Sequence, residues 1–319
     1  MSHPRTIAIL GDSISTYEGH IPEGFAVYYT PERAALCGLR DVRDTWWSLL
    51  ADALGAQVIA NASYSGSMVE GVGFPAAWSP ERIAALHGPA GEQPDDVVVF
   101  IGINDYGWGG ARNQAMGRVA AMPPATDLSD IPAGEPTNAA LTAVRDFEAA
   151  YDAMLAGVRA AFPRARIWCC TLMPGRVAGN AYPTFAWSLR GVSLHAYNDA
   201  IARAVASCGA HLVDACALGL DYEAVDGTHP TERGMRQLAR MFLTGMAHAG
   251  SPEAARALEH AGSSDEGAQD VIWASRDWCP DHACVGCPWA RGTGSSWYCV
   301  CEKPRGDKGG EVATSLANH

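Results

Sequence analysis

The chain has 319 residues, of which 48% are hydrophobic and 18% are charged, and its formal net charge is −12 at pH 7. This length suits one large domain with additions or two small ones, and the composition excludes a largely disordered chain. The acidic charge argues against nucleic acid and anionic membranes as partners. Since the sequence shows neither a leader pattern nor an apolar run of about 20 residues, we expect a soluble, cytoplasmic protein.

Five short apolar runs predict the strands of a central sheet. They are residues 6–10, 57–61, 96–101, 166–171 and 211–214. Their nearly continuous apolar character is typical of parallel strands buried on both faces. Amphipathic helical patterns separate them, including a helix capped by Thr45 and a last helix over about residues 231–248. The alternation predicts an α/β fold, a flavodoxin-like three-layer αβα sandwich around about five parallel strands.

Two segments break this alternation. Residues 107–138 are rich in Gly, Pro and Ala, and so long a connection is either a lid over a functional site or a surface loop. After residue 250, a helical patch and a Gly/Ser/Asp linker lead into a segment rich in Cys and Trp. We therefore predict a main domain over residues 1–250 and a C-terminal extension over residues 251–319.

Short polar blocks follow the first three predicted strands. In Gly11-Asp12-Ser13, the serine either presents its hydroxyl as a nucleophile at a strand-to-helix turn or merely caps the helix. In the next two blocks, Gly66 offers a backbone N–H donor and Asn104 a side-chain amide, and both could point at a developing oxyanion. Each block taken alone is equally well an ordinary turn.

A fourth block, Asp226-Gly227-Thr228-His229-Pro230, lies just before the last predicted helix. An Asp three residues ahead of a His can accept the imidazole Nδ1–H and leave Nε2 facing outward as a base. Parallel α/β sheets gather ligands at the carboxyl ends of their strands, so the four blocks are expected to meet there. Together they supply a nucleophile, a base, an acid that orients the base, and oxyanion donors.

The combination of Ser13, Gly66, Asn104 and His229 resembles the SGNH (GDSL-type) hydrolase superfamily, with GDSI in place of GDSL. The resemblance implies acyl transfer to Ser13, with His229 as the base and then the acid, and with Asp226 holding the imidazole. It also implies an oxyanion hole formed by the N–H groups of Ser13 and Gly66 and by the Asn104 side chain. No cofactor is needed for this chemistry.

The resemblance covers roughly residues 5–248 and extends to a bacterial subgroup whose substrate is not settled. We expect a serine esterase acting on a small-molecule or carbohydrate ester, with a small acyl group such as acetyl. The same site could instead serve a thioesterase, a lysophospholipase or an acyltransferase. A catalytically silent binding module is a further alternative, and the oligomeric state is not predicted.

Aromatic residues close to these blocks predict an apolar wall for a substrate pocket. The candidates are Tyr17, Tyr106 and Trp108. For Tyr28 and Tyr29, ordinary core packing is an equally good interpretation. Asp12 and Asp105 are expected to tie loops together through hydrogen bonds.

Five of the ten cysteines crowd into residues 279–301, with the spacing C-x4-C-x2-C-x11-C-x-C. Two close pairs of thiolates match the ligand supply of a structural zinc site. The candidate ligands are Cys284, Cys287, Cys299 and Cys301, with Cys279 or His282 as a substitute. Disulfides and free thiols are the alternatives. The five scattered cysteines are expected to be buried thiols.

Overall fold

The five predicted strands form one parallel sheet. The computed structural model of the protein describes residues 4–111, 114, 136–173, 175–177, 188–189, 191–261, 290–293 and 296–299. The strands of the sheet are β1 (Arg5–Gly11), β2 (Ala56–Asn61), β3 (Asp96–Phe100), β4 (Arg166–Cys170) and β8 (His211–Val213). Their order is β2-β1-β3-β4-β8, and every neighbouring pair is parallel. The strand order therefore reverses between β1 and β3, which is where such sheets bind ligands.

Helices cover both faces of this sheet. They are α1 (Pro31–Leu36), α2 (Trp46–Ala53), α3 (Pro80–Ala84), α4 (Ile103–Trp108), α5 (Asn138–Ala161), α6 (Leu194–Cys208), α7 (Glu232–His248) and α8 (Pro252–Ala261). Helices α2 and α7 pack together, and Trp46 lies edge-on to Phe242 with ring centroids 5.0 Å apart. Helices α5 and α6 pack together, with Phe147 and Tyr197 5.0 Å apart. The three-layer αβα sandwich is confirmed.

Three pairs of short strands lie outside the main sheet in the described part of the chain. They are β5 (Gly175–Val177) with β9 (Tyr222–Ala224), β6 (Ser188–Leu189) with β7 (Val192–Ser193), and β10 (Ala290–Thr293) with β11 (Ser296–Cys299). The β5–β9 pair is parallel and leads directly into the Asp226 block. It therefore helps to position the last of the four blocks.

Two predictions fall partly or wholly outside the described residues. Of the lid segment, α4 includes residues 107 and 108 and α5 begins at Asn138, whereas residues 115–135 lie outside the described part. The candidate zinc ligands also lie outside it, except that Cys299 ends strand β11. The lid and the zinc site both stay predictions.

The predicted cap of α2 and the free state of the scattered cysteines are confirmed. Thr45 caps α2 by accepting a hydrogen bond from the Ser48 N–H, and Thr231 caps α7. The scattered cysteines are free thiols, and all of them are buried except Cys208, which is half-buried. Among the described helices, none combines the length and the apolar character that a membrane span requires.

A buried arginine joins the ends of the first two strands. Arg82 in α3 is fully buried, and its guanidinium donates three hydrogen bonds of 2.7 Å to backbone carbonyls. The acceptors are the carbonyl oxygens of Gly11 at the end of β1, Ala62 after β2, and Pro75. Burial lowers the pKa of Arg82 to about 10, so the side chain stays charged at neutral pH. The guanidinium therefore fixes these two strand ends relative to each other.

The carboxyl group of Asp12 is buried close to this cation. Its Oδ1 accepts a hydrogen bond of 3.0 Å from the Ile14 N–H. Burial raises the pKa of Asp12 to about 7, although the hydrogen bond from Ile14 and the charge of Arg82 oppose the rise. A buried charge is costly, and the attraction between Arg82 and the ionised form of Asp12 offsets part of that cost.

Arg82→Met tests the stabilising role of the guanidinium. The variant removes the guanidinium donor from three carbonyls and the positive charge near Asp12, and we expect the free energy of unfolding to fall by about 3–5 kcal/mol. Urea denaturation measures the change. Arg43→Met is the matched control because Arg43 forms an exposed ion pair with Asp41, and we expect it to cost at most about 0.5 kcal/mol. Equal losses in the two variants would contradict the assignment.

Asp12→Asn tests the buried carboxyl group. Folded Asp12 keeps its proton up to a pH of about 7, whereas the unfolded chain releases it near a pH of about 4. The unfolding free energy of the parent protein should therefore fall as the pH rises from about 4 to about 7, and it should fall less in the variant. Denaturation at several pH values measures this slope. In Asp41→Asn, where an exposed carboxylate is replaced, the slope should stay that of the parent, and an unchanged slope in Asp12→Asn would refute the prediction.

Candidate active site

The first block forms a tight turn at the end of β1. Residues Ser13–Ser15 make one short 3₁₀ turn, and Ser13 is 5% exposed. Asp12, not Ser13, caps this turn by accepting from the Ile14 N–H. The alternative in which Ser13 serves as the helix cap is therefore wrong, because the neighbouring carboxylate takes that role. A Cβ at Gly11 would lie 2.5 Å from the Ser15 Oγ, so this close approach requires glycine.

Several hydrogen bonds hold the turn in place. The Ser15 carbonyl accepts from the Trp47 Nε1–H at 3.0 Å and from the Asn61 Nδ2–H at 2.9 Å. The Thr16 hydroxyl donates to the Ser13 carbonyl at 3.0 Å. Donors from β2 and α2 thus fix the backbone around Ser13, and the Ser13 hydroxyl takes no part in this scaffold.

The fourth block brings an imidazole to the Ser13 hydroxyl. The Nε2 of His229 lies 2.9 Å from the Ser13 Oγ, and the Nδ1 lies 2.7 Å from the Asp226 Oδ2. The other carboxylate oxygen, Oδ1, accepts from the backbone N–H groups of Thr228 at 3.0 Å and His229 at 2.8 Å. Ser13, His229 and Asp226 therefore form one continuous chain of hydrogen bonds, as their spacing in the sequence predicted.

Groups outside the loop that carries His229 hold that loop in place. The Tyr222 hydroxyl donates to the Thr228 carbonyl at 2.7 Å, and the Tyr29 hydroxyl donates to the Pro230 carbonyl at 3.0 Å. The Gly175 N–H of β5 donates to the Gly227 carbonyl at 2.9 Å. Three separate segments therefore restrict the position of the imidazole before any substrate arrives.

The electrostatics of this loop keep Asp226 ionised. Burial raises the pKa of Asp226, but the imidazole of His229 and the backbone N–H groups of His229 and Thr228 outweigh burial and lower it to about 2. The carboxylate is therefore charged at neutral pH. A charged acceptor at Nδ1 orients the ring and stabilises the imidazolium form of His229.

The two remaining blocks lie side by side. The Asn104 Nδ2 donates to the Ser67 carbonyl at 2.9 Å, one residue beyond Gly66. Because an amide carries two N–H bonds, this contact orients the Asn104 side chain and uses only one of them. Gly66 lies in a turn that the bond from the Ser67 N–H to the Tyr64 carbonyl closes, and its φ of +78° favours glycine. The Tyr64 N–H in turn donates to the Gly11 carbonyl at 3.2 Å, which links this turn to the end of β1.

Hydrogen bonds to Asp105 connect the same two blocks. Its buried carboxylate accepts from the backbone N–H groups of Val69 and Glu70 at 2.9 and 3.0 Å. Asp105 follows Asn104 in α4, so the loop after Gly66 is fixed to the helix that carries the amide. Asp12 and Asp105 both act as hydrogen-bond acceptors for loop backbone, in agreement with the sequence analysis.

The aromatic candidates for a pocket wall behave differently from one another. Tyr106 is fully buried and packs edge-on against Tyr197 at 5.5 Å, so the prediction that it lines a pocket is wrong. Its position on the inner side of α4 turns the ring into the core. Tyr17 and Trp108 are half-buried, and Tyr17 lies against the ring of His20. They stay candidates.

Sequence reasoning missed two residues that shape the site. It did not single out Arg82, because a lone arginine in a helical pattern carries no signal of burial. It left Tyr28 undecided, whereas the ring of Tyr28 stacks on the imidazole of His229. The contacts of Arg82 with Gly11 and of Tyr28 with His229 join segments that are far apart in the chain, so no local sequence pattern predicts them.

In the part of the chain that the structure describes, no three His, Cys, Asp or Glu side chains converge as ligands for a metal ion. The site consists of a serine, a histidine, a carboxylate and neutral amide donors. This set of groups is suited to nucleophilic attack on a carbonyl carbon.

One family model and several solved structures match this chain. Residues 9–237 match the model of the GDSL-like lipase/acylhydrolase family. Similar solved structures include a protein from Bacteroides uniformis described as a GDSL-like lipase, with 23% identity, 77% of this chain and 96% of that chain covered, and a TM-score of 0.48. They also include a carbohydrate esterase family 2 enzyme from Corynascus thermopiles (Myceliophthora fergusii), with 21% identity, 78% and 68% covered, and a TM-score of 0.45.

A third similar structure is a family two carbohydrate esterase from Clostridium thermocellum in complex with cellohexaose, with 17% identity, 82% and 66% covered, and a TM-score of 0.42. No curated protein matches the sequence. The match to the family model extends over more than half of the chain. The chain therefore belongs to the GDSL-like lipase/acylhydrolase family and is a hydrolase with an esterase type of activity.

Proposed function

We propose that the protein is a serine esterase that hydrolyses carboxylic esters through a covalent acyl-enzyme on Ser13. The observation that carries this proposal is the chain of hydrogen bonds from the Ser13 Oγ to His229 at 2.9 Å and from His229 to Asp226 at 2.7 Å. Both distances lie within the range expected for a nucleophile, its base and the group that orients the base.

Acylation begins when the Ser13 Oγ attacks the ester carbonyl carbon. The Nε2 of His229 accepts the hydroxyl proton, and the new C–O bond gives a tetrahedral intermediate with a negative oxygen. The imidazolium then donates this proton to the leaving alcohol oxygen as the bond to the acyl carbon breaks. The Asp226 carboxylate stabilises the imidazolium while it exists.

Deacylation repeats these steps with water. His229 accepts a proton from the water as the water oxygen attacks the acyl carbon of the ester on Ser13. The second tetrahedral intermediate collapses to the carboxylic acid, and His229 returns the proton to the Ser13 Oγ. The cycle restores the free serine and consumes one water molecule for each ester.

The oxyanion is assigned to three neutral donors: the N–H groups of Ser13 and Gly66 and the second N–H of Asn104. The bond from Asn104 to the Ser67 carbonyl supports this assignment because it holds the amide beside Gly66. Donors that are fixed in advance need no reorganisation when the charge appears, so they favour the transition state over the bound substrate.

The proposed substrate is an ester with a small acyl group, including O-acetyl groups on carbohydrates. Two observations support a small group. Only 5% of Ser13 is exposed, and Tyr28 covers one face of the His229 ring. A nucleophile with so little exposed surface is reached more easily by an acetyl group than by a long chain.

Ser13→Ala tests the nucleophile. The variant lacks the oxygen that forms the acyl bond, and we expect hydrolysis of p-nitrophenyl acetate to fall by at least about 10⁴-fold. The release of p-nitrophenol measures the rate, and thermal melting confirms the fold. Ser65→Ala removes a hydroxyl from the neighbouring Gly66 loop and should keep most of the activity.

A Ser13→Ala protein as active as the parent would refute the covalent mechanism. The same assay with acetate, butyrate and octanoate esters tests the acyl group, and we expect kcat/KM to decrease as the chain grows. A rise with chain length would favour a lysophospholipase-like substrate instead.

Asn104→Ala tests the oxyanion assignment. Loss of one such donor lowers kcat by about 10²–10³-fold, and KM should change little because the donor acts mainly on the transition state. Steady-state kinetics with p-nitrophenyl acetate separate the two parameters. Asn138→Ala, at the exposed start of α5, is the control. A kcat within twofold of the parent in both variants would exclude Asn104 from the oxyanion hole.

A further inference from the structure

An aromatic ring lies flat on the imidazole of His229. The centroids of the Tyr28 and His229 rings are 3.4 Å apart, and the two planes are within 4° of parallel. Because carbon atoms pack best at about 3.5–4.0 Å, so short a centroid distance leaves almost no room for a sideways offset. The imidazole therefore lies directly over the centre of the Tyr28 ring.

This arrangement is unfavourable for two neutral rings. Neutral aromatic rings prefer offset or edge-to-face contacts, since both faces carry negative charge. A cation above the same face is attracted to it. The observed stack therefore favours the imidazolium form of His229 over the neutral imidazole, and within the catalytic cycle the imidazolium forms when Ser13 gives up its proton.

Hydrogen bonds on both sides of the ring hold the stack in place. The Tyr28 N–H donates to the Thr16 Oγ1 at 2.9 Å, and the Thr16 hydroxyl donates to the Ser13 carbonyl. The next residue, Tyr29, donates through its hydroxyl to the Pro230 carbonyl, beside His229. The segment that carries Tyr28 is thus fixed both to the turn of Ser13 and to the loop of His229.

We propose that Tyr28 is a positioning residue for the proposed acyl transfer: its ring holds the His229 imidazole against Ser13 and stabilises the positive charge that the imidazole acquires. The inference rests on the proposed function, since it assigns a role in the same proton transfer. The interaction strengthens as His229 becomes charged, so it lowers the barrier without tightening the binding of the ester.

Other charged and titratable groups face this stack. Asp226 lies at the Nδ1 edge of His229, and its carboxylate also interacts with Tyr28. Burial, and next the charge of Asp226, raise the pKa of Tyr28, so its hydroxyl stays protonated. The Arg33 guanidinium lies 4.7 Å from the Tyr28 centroid and must occupy the face that His229 leaves open. The Cys37 thiol interacts with both Tyr28 and Asp226, and burial raises its pKa to about 11, so it is neutral.

Arg33 works against the imidazolium, because both are cations on one ring. Its exposed position lets water and salt screen that repulsion. The imidazole lies 3.4 Å from the ring centre, closer than the 4.7 Å of the guanidinium. The imidazolium therefore contacts the ring directly, whereas the guanidinium repels it only across the ring.

The experiment keeps the shape of the ring and changes the electrostatic potential of its face. Tyr28→Phe retains the ring, whereas Tyr28→pentafluorophenylalanine, introduced as a non-natural residue, reverses the charge of the ring face at almost the same volume. Relative to Tyr28→Phe, the fluorinated variant should lower kcat/KM for p-nitrophenyl acetate by about 3- to 30-fold. The acidic limb of its pH–rate profile should move to lower pH by roughly half a unit to one unit. Thermal melting confirms that both proteins fold.

A second readout does not need turnover. The Hε1 NMR signal of His229 is followed against pH in the same two proteins, and its midpoint should be lower in the fluorinated variant. If the parent hydrolyses no ester, the proposed function fails while the NMR midpoints still test the stack. Equal midpoints, or equal kcat/KM and equal acidic limbs, would overturn the proposal and leave Tyr28 as a packing residue.

Discussion

The hydrogen bonds of one buried guanidinium fix the edge of the sheet on which the site is built. Arg82 donates to the carbonyls of Gly11 and Ala62, which follow two neighbouring strands, and to that of Pro75. Ser13 lies two residues beyond the first of these carbonyls, and Gly66 lies four residues beyond the second. The proposed nucleophile and one proposed oxyanion donor thus both lie close to carbonyls that the same guanidinium binds. A buried cation is costly, and the nearby carboxyl group of Asp12 offsets part of that cost.

In the turn after β1, the residues that hold the backbone differ from the residue that contacts His229. The Asp12 carboxyl group caps the turn, and side chains from β2 and α2 hold the Ser15 carbonyl. Because these neighbours make the hydrogen bonds that hold the backbone of the turn, the Ser13 hydroxyl is not needed for them and contacts His229 instead. The same division appears after β3, where Asp105 binds the loop backbone and Asn104 uses one N–H for Ser67 and keeps the other for the proposed oxyanion. In both blocks the carboxyl group beside the proposed site residue holds the loop backbone.

The sequence predicted those features whose signal is local. Short apolar runs predicted the five strands. The positions of two polar blocks, one after a strand and one before the last helix, predicted that Ser13, His229 and Asp226 meet. Contacts between distant segments could not be predicted in this way. Arg82 reaches a carbonyl 71 residues away, and the stack of Tyr28 on His229 depends on how two loops meet. Local patterns also misplaced the Tyr106 ring, since they do not say which side of α4 faces the core.

The proposed acyl transfer creates two opposite charges at once, and different kinds of groups face each of them. The positive imidazolium meets the ionised Asp226 at one edge and the Tyr28 ring on one face. The negative oxygen meets neutral N–H donors, which attract it without adding a net positive charge to the site. A cationic donor at that position would also repel the imidazolium and so weaken His229 as a base. Arg82 supplies a positive charge to this edge of the sheet, but its N–H groups are directed to backbone carbonyls and its charge is opposed by Asp12. The cation can therefore order the loops without competing in the proton transfer.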